Sequence, residues 1–134
     1  MSVTYYLMDD PDTIMISTMA ERGKANAAVR NPKVSLCVLD ENWPPVYVQV
    51  YCDARIDAKI ESAPERVIDS MMRLYQVMAD KPMPHSAQAN AGETALREKR
   101  VILLLKSYAT FETPSRHVYS ERRHRRTYPL DRQP

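Results

Sequence analysis

An α+β domain dominated by antiparallel strands is the fold class this sequence predicts, and three observations predict it. About five runs rich in β-branched and aromatic residues follow one another through turn-forming clusters, without the regular strand–helix alternation of a parallel sheet. Two stretches with helical periodicity interrupt them. Only 2 Gly occur and no Gly-x-Gly exists, which argues against the glycine-rich phosphate loops of Rossmann and P-loop folds. A chain of 134 residues fits one domain and can bury a core without staples. An antiparallel barrel or strongly bent sheet is the simplest way to bury these strands.

The elements follow in order. Val3 to Leu7 reads as a strand ended by the turn-forming Asp9-Asp10-Pro11-Asp12, and Thr13 to Thr18 as its hairpin partner. Thr18-Met19-Ala20-Glu21 matches a capping box, so a short helix is expected from there to Asn31, stopped by Pro32. Val34 to Leu39 and Val46 to Ile56 are the clearest strands. In the second, Val46, Val48 and Val50 alternate with Tyr47, Gln49 and Tyr51, a period of two with one buried face. The polar, proline-stiffened segment 40–45 joins them.

A longer helix is expected from Ser62, with Ser62-Ala63-Pro64-Glu65 as a second capping box. Ile68, Met71, Met72, Tyr75 and Met78 form its stripe, read as core-facing rather than as a cofactor box. Lys81 to Asn90 reads as loop, Thr94 to Lys99 as a helical turn, and Arg100 to Phe111 as a strand buried on both faces. Residues 1–119 make the domain, and 120–134 an arginine-rich tail.

Charge and composition narrow the function classes. The net charge of +2 is too small to mark a nucleic-acid binder. The stretch after Glu112, with Arg116, Arg122, Arg123, Arg125, Arg126 and Arg132, reads as a solvated run, a clamp on an anion or neighbouring subunit being the sharper reading. Cys37 and Cys52 lie in strand-like runs and read as buried thiols of a reducing, cytoplasmic protein. No signal-peptide pattern or membrane-length apolar run is seen. His85, His117 and His124 are scattered and no Cys/His spacing suits zinc, so no metal site is expected. Ser115-Arg116-His117 lacks a nucleophile elbow. Glu61, Glu65 and Asp69 line one side of a helix as solvated charges.

The informative segment is Ser17-Thr18-Met19-Ala20-Glu21-Arg22-Gly23-Lys24, where a strand ends in hydroxyl residues and turns into a helix. A helix N-terminus favours anions through its unpaired N–H groups. Arg22 adds a bidentate fork and Lys24 a mobile point charge, both suited to phosphate, and Gly23 leaves room for close approach. A plain surface helix with scattered cations is the competing reading.

The stretch IMISTMAERGKANAAVRNPKVSLCVLDE resembles the pyridoxamine-phosphate-oxidase-like superfamily, and most closely its flavin/deazaflavin oxidoreductase branch using coenzyme F-420. Arg22, Lys24, Pro32, Val34, Ser35 and Leu36 match the branch motif. RVIDSMMRLYQVMA resembles its long helix and KRVILLLKSYATFE its last strand. Where the branch has Asn-Leu-Arg, this chain has Ala27-Ala28-Val29; Asn26 comes one place early, Arg30 one place late, and Asn31 replaces an aspartate. The usual N-terminal helix and first strand have no counterpart, the sequence beginning where the second strand is expected.

The resemblance implies an FMN-binding split β-barrel and a homodimer with cofactor sites at the interface. Ser17, Thr18, Met19, Arg22 and Lys24 are then cofactor-binding residues, and Trp43 reaches the ring or the partner chain. The implied activity is an oxidoreductase passing hydride between F-420 or FMN and a small conjugated substrate, with no catalytic side chain assigned. A non-catalytic protein that stores or senses a flavin or a tetrapyrrole such as haem is the alternative. In that case His117 would be the candidate haem ligand.

Overall fold

The computed structural model describes residues 4–21, 23–39 and 47–112. Its elements run β1 (Leu7–Asp10), β2 (Thr13–Met19), α1 (Gly23–Arg30), β3 (Lys33–Leu39), β4 (Tyr47–Lys59), α2 (Pro64–Met78), α3 (Ala87–Glu98) and β5 (Arg100–Glu112). The strands form one antiparallel five-stranded sheet in the order β1-β2-β5-β4-β3. β1 and β3 are the edges of this sheet, which is open, so the expected split barrel is not confirmed.

Two compact units divide the chain. Met1–Val34 with Cys52–Tyr108 make the first, and Ser35–Tyr51 with Ala109–Pro134 the second. In the second, β3 alternates exposed Ser35, Cys37 and Leu39 with half-buried Leu36 and Val38, and Gln49 Nε2 donates to Ser35 Oγ at 3.1 Å. Cys37 is therefore exposed, not buried as its strand-like setting suggested, because the exposed face of β3 carries it. Cys52 is fully buried. Burial, with the Asp53 charge beside it, pushes its thiol pKa up.

The first unit holds the core and the cleft. β1 and β2 form a hairpin with Leu7 opposite Met15 and Asp10 opposite Thr13, closed by Pro11 and Asp12 alone. The first strand is thus shifted from the expected Val3–Leu7, and Asp9 and Asp10 belong to it rather than to the turn. Local hydrogen bonding accounts for this: Asp12 N–H donates to Asp10 Oδ1 at 3.0 Å, which holds the Asp10 carboxyl below its ordinary pKa. Arg73 on α2 reaches Asp9 at 3.1 Å.

Both capping boxes fail. Thr18 sits inside the β2 ladder opposite Val101, so it starts no helix, and α1 begins only at Gly23. α2 begins after Ala63 with no side-chain cap and with Pro64 in its first turn, where a missing N–H is tolerated. The backbone amides of Ser62 and Ala63 both donate to the Lys59 carbonyl, so the chain leaves β4 through a backbone-bonded turn.

The buried side of α2 is Val67, Ser70, Met71 and Leu74, turned from the expected stripe so that Met78 is 44% exposed. α3 spans the end of the expected loop, Lys81 to Asn90, and most of the expected helical turn, Thr94 to Lys99. It buries only Ala87, Ala91 and Ala95 and packs on α2 at close quarters; a Cβ on Gly92 would stand 3.3 Å from Ile68 Cδ1. Lys99 ends α3 in the left-handed region (φ 51°), its N–H donating back to Ala95 and Leu96 carbonyls. β5 then buries Val101 to Leu105 on both faces, as expected for a central strand. Met15, Ile60, Val67, Met71, Leu74, Ile102 and Leu104 share one core.

Candidate functional site

A cleft of about 450 Å³ opens where β2 ends. Ser17, Thr18 and Met19 line it from β2, Lys24 from the first turn of α1, and Arg100 from the start of β5. Met71, Leu74, Tyr75 and Met78 of α2 form an apolar wall, with Thr4 and Tyr5 completing it. Four of the six residues singled out from sequence thus share one cavity. The other two, Arg22 and Trp43, lie outside the described residues, as do His117, His124 and the arginine-rich tail.

The ladder explains the placement. Ser17 pairs with Ile102, Thr18 with Val101 and Met19 with Arg100, while Ala20 N–H donates to the Lys99 carbonyl at 2.9 Å. The end of β2 is therefore held by backbone bonds to the start of β5 before the chain turns into α1.

The polar groups differ in how far they are already satisfied. Thr18 is 4% exposed, and its hydroxyl has no hydrogen-bond partner among the described residues. Ser17 Oγ accepts from Arg100 Nη1 at 3.4 Å. Arg100 Nε donates to Glu98 Oε1 at 2.8 Å, and Nη2 lies 2.7 Å from the same oxygen as an ion pair. Lys24 is half-buried with no carboxylate partner among the described residues. At Gly23 a Cβ would meet nothing within 4 Å, so packing inside the chain does not demand glycine there.

Sequence reasoning missed Arg100, which read only as the first residue of an apolar strand. The available signal was a lone Glu-x-Arg (Glu98, Arg100) ahead of five apolar residues, a charged pair at the very place where burial begins.

Polar groups elsewhere have structural partners. A smaller cleft of about 200 Å³ holds Asp57, whose side chain is 8% exposed and takes a bidentate contact from Arg66 at 2.6 and 2.9 Å. Arg55 lies 3.4 Å from the same carboxylate. Glu61, Glu65, Asp69 and His85 are exposed. Among the described residues no group of three His, Cys, Asp or Glu is placed to hold a metal, and no helix is long and apolar enough to cross a membrane.

No protein-family model matches the sequence, and no curated protein matches it significantly. Solved structures do resemble the fold. A conserved hypothetical protein from Mycobacterium tuberculosis aligns at a TM-score of 0.66 and 20% identity, over 86% of this chain and 68% of that one. An F-420 reductase aligns at 0.56 and 17%, over 82% and 76%. A pyridoxamine 5'-phosphate oxidase-like protein from Listeria innocua aligns at 0.53 and 15%, over 84% and 76%. The structural neighbours are thus pyridoxamine 5'-phosphate oxidase-like, FMN-binding and F-420 reductase proteins, and at these identities the likeness is one of fold.

Proposed function

We propose, proceeding from that shared fold, that the cleft binds the phosphate-bearing end of deazaflavin F-420 or FMN in a split-barrel homodimer. The chain then acts as an oxidoreductase on a small conjugated substrate. One observation carries the reading: a buried Thr18 hydroxyl and a Lys24 ammonium, neither with a partner among the described residues, share a cavity whose opposite wall is apolar. A buried hydroxyl without a partner is destabilising, and an anion in the cleft would satisfy it. The volume falls within the range of small-molecule sites, and the cavity has one polar end and one apolar side, as a phosphate joined to a flat ring requires.

When bound, the cofactor supplies the hydride chemistry. The chain's share is placement. Lys24 and Ser17 fix the anionic end, Thr18 donates to it, and Met71, Leu74, Tyr75 and Met78 keep water from the ring. The fold of the F-420 reductase and the FMN-binding neighbours supports this choice of ligand class. The exposed Leu39, Tyr47 and Tyr51 on β3 and β4 support association with a second copy.

Fluorescence titration of the purified protein with FMN and with F-420 tests the proposal, followed by assay of any complex for reduction of quinone-like or enone substrates. Saturable binding that Lys24→Met weakens is the expected result. Binding without turnover moves the reading to a storing or sensing protein. Binding of neither ligand removes it.

A further inference from the structure

We infer that Arg100, aimed by Glu98, is the residue by which the cleft tells a phosphorylated ring ligand from its unphosphorylated counterpart; this rests on the ligand class proposed above. The two cations of the cleft are built differently. Lys24 is carried on a short helix and makes no ion pair among the described residues. Arg100 is fixed at every level. The left-handed Lys99 turns the chain from α3 into β5, and the Arg100 backbone pairs with Met19 and accepts from Ile60 N–H at 3.1 Å.

The side chain is fixed as well. It is 24% exposed, Nε–H donates to Glu98 Oε1, and Nη2 forms an ion pair with the same oxygen. That leaves Nη1 turned towards Ser17 Oγ on the cleft wall. The 3.4 Å contact is long for a hydrogen bond, so an anion oxygen entering beside Ser17 meets a donor only weakly engaged. The Glu98 carboxylate neutralises the guanidinium at long range without occupying Nη1. The cleft therefore attracts anions less by net charge than by a directed N–H, and a directed donor separates a phosphate ester from a free hydroxyl. Arg100 is in these terms a specificity-determining residue.

The test compares FMN with riboflavin, and F-420 with its phosphate-free deazaflavin chromophore, by fluorescence titration. Wild type is expected to prefer the phosphorylated member of at least one pair. Arg100→Lys keeps a cation for Glu98 but loses the fork. It should reduce that preference by ~10-fold or more, since a charge-assisted bond is worth that much. Affinity for the unphosphorylated ring should change by less than about two-fold, as the apolar wall is untouched.

Because lysine does not reproduce the Arg100 contacts to Glu98, the neutral pair Glu98→Gln with Arg100→Gln is the second variant, checked for folding by thermal melting. It should show the same loss of preference. An unchanged preference in both folded variants overturns the inference while leaving the proposed function standing. If wild type binds no member of either pair, both fall. A uniform weakening of all four ligands marks a purely structural role for the Glu98–Arg100 pair and also overturns it.

Discussion

Replacing Thr18 with valine should make the empty protein more stable and the ligand complex weaker. Thr18 lies in the β2 ladder, 4% exposed, with its hydroxyl unpartnered among the described residues. An unsatisfied buried polar group is unfavourable by about 1–3 kcal/mol relative to an apolar group of the same shape. Valine keeps the shape and the β-branching, so the ladder opposite Val101 is preserved.

Taking the low end, because the hydroxyl borders an open cleft, the variant should gain about 1 kcal/mol. For a domain of this size that is roughly 3–5 °C in melting temperature. If the hydroxyl donates to a bound phosphate, the same change removes a bond worth about 1.5–3 kcal/mol and weakens binding by ~10-fold or more. Thermal melting of the ligand-free protein and fluorescence titration of the two proteins measure both quantities. A Thr18→Val protein that melts lower than wild type would falsify the account, since the hydroxyl would then have had a partner in the folded chain. Higher stability with unchanged affinity would remove Thr18 from the site.

Three further outcomes concern the frame around the cleft. Ile102→Ala, at a fully buried position in β5, should destabilise by about 2–5 kcal/mol in urea unfolding, because the void there cannot collapse between paired strands. Arg66→Ala leaves the nearly buried Asp57 with Arg55 as its remaining cation among the described residues, so a lower urea midpoint is expected by the same measurement. Cys52 gives a pH signature. Its raised pKa means that the unfolded thiol ionises first, so stability is unaffected below the ordinary thiol value of about 8.5 and falls as pH rises through it. Urea midpoints at neutral and alkaline pH should diverge less in Cys52→Ala than in wild type.

The strands were the legible part of the fold. The central strands β2 and β5 and the alternating β4 announce themselves because burial on one or both faces leaves continuous or period-two apolar runs. α3 did not, since its packing face is alanine and a glycine, and helices that approach this closely need no large apolar stripe. Capping boxes misled because Thr18 stays in the β2 ladder opposite Val101, and because the amides of Ser62 and Ala63 are taken by the Lys59 carbonyl before α2 begins. Ser17, Thr18, Met19 and Lys24 were legible as a group because they are contiguous. Arg100 joins them only through strand pairing, which no local pattern records.

That pairing has a consequence for when the cleft comes into being. Ser17 and Arg100 are 83 residues apart in the chain, and the strand that carries Arg100 is the last of the five to be synthesised. Until β5 leaves the ribosome and inserts between β2 and β4, β2 has no neighbour on that side and the anion cradle lacks its anchored cation. Such long-range closure is entropically slow. The cleft is thus confined to a chain that has completed its sheet, and a nascent or prematurely ended chain presents to the cell an unpaired β2 edge in its place.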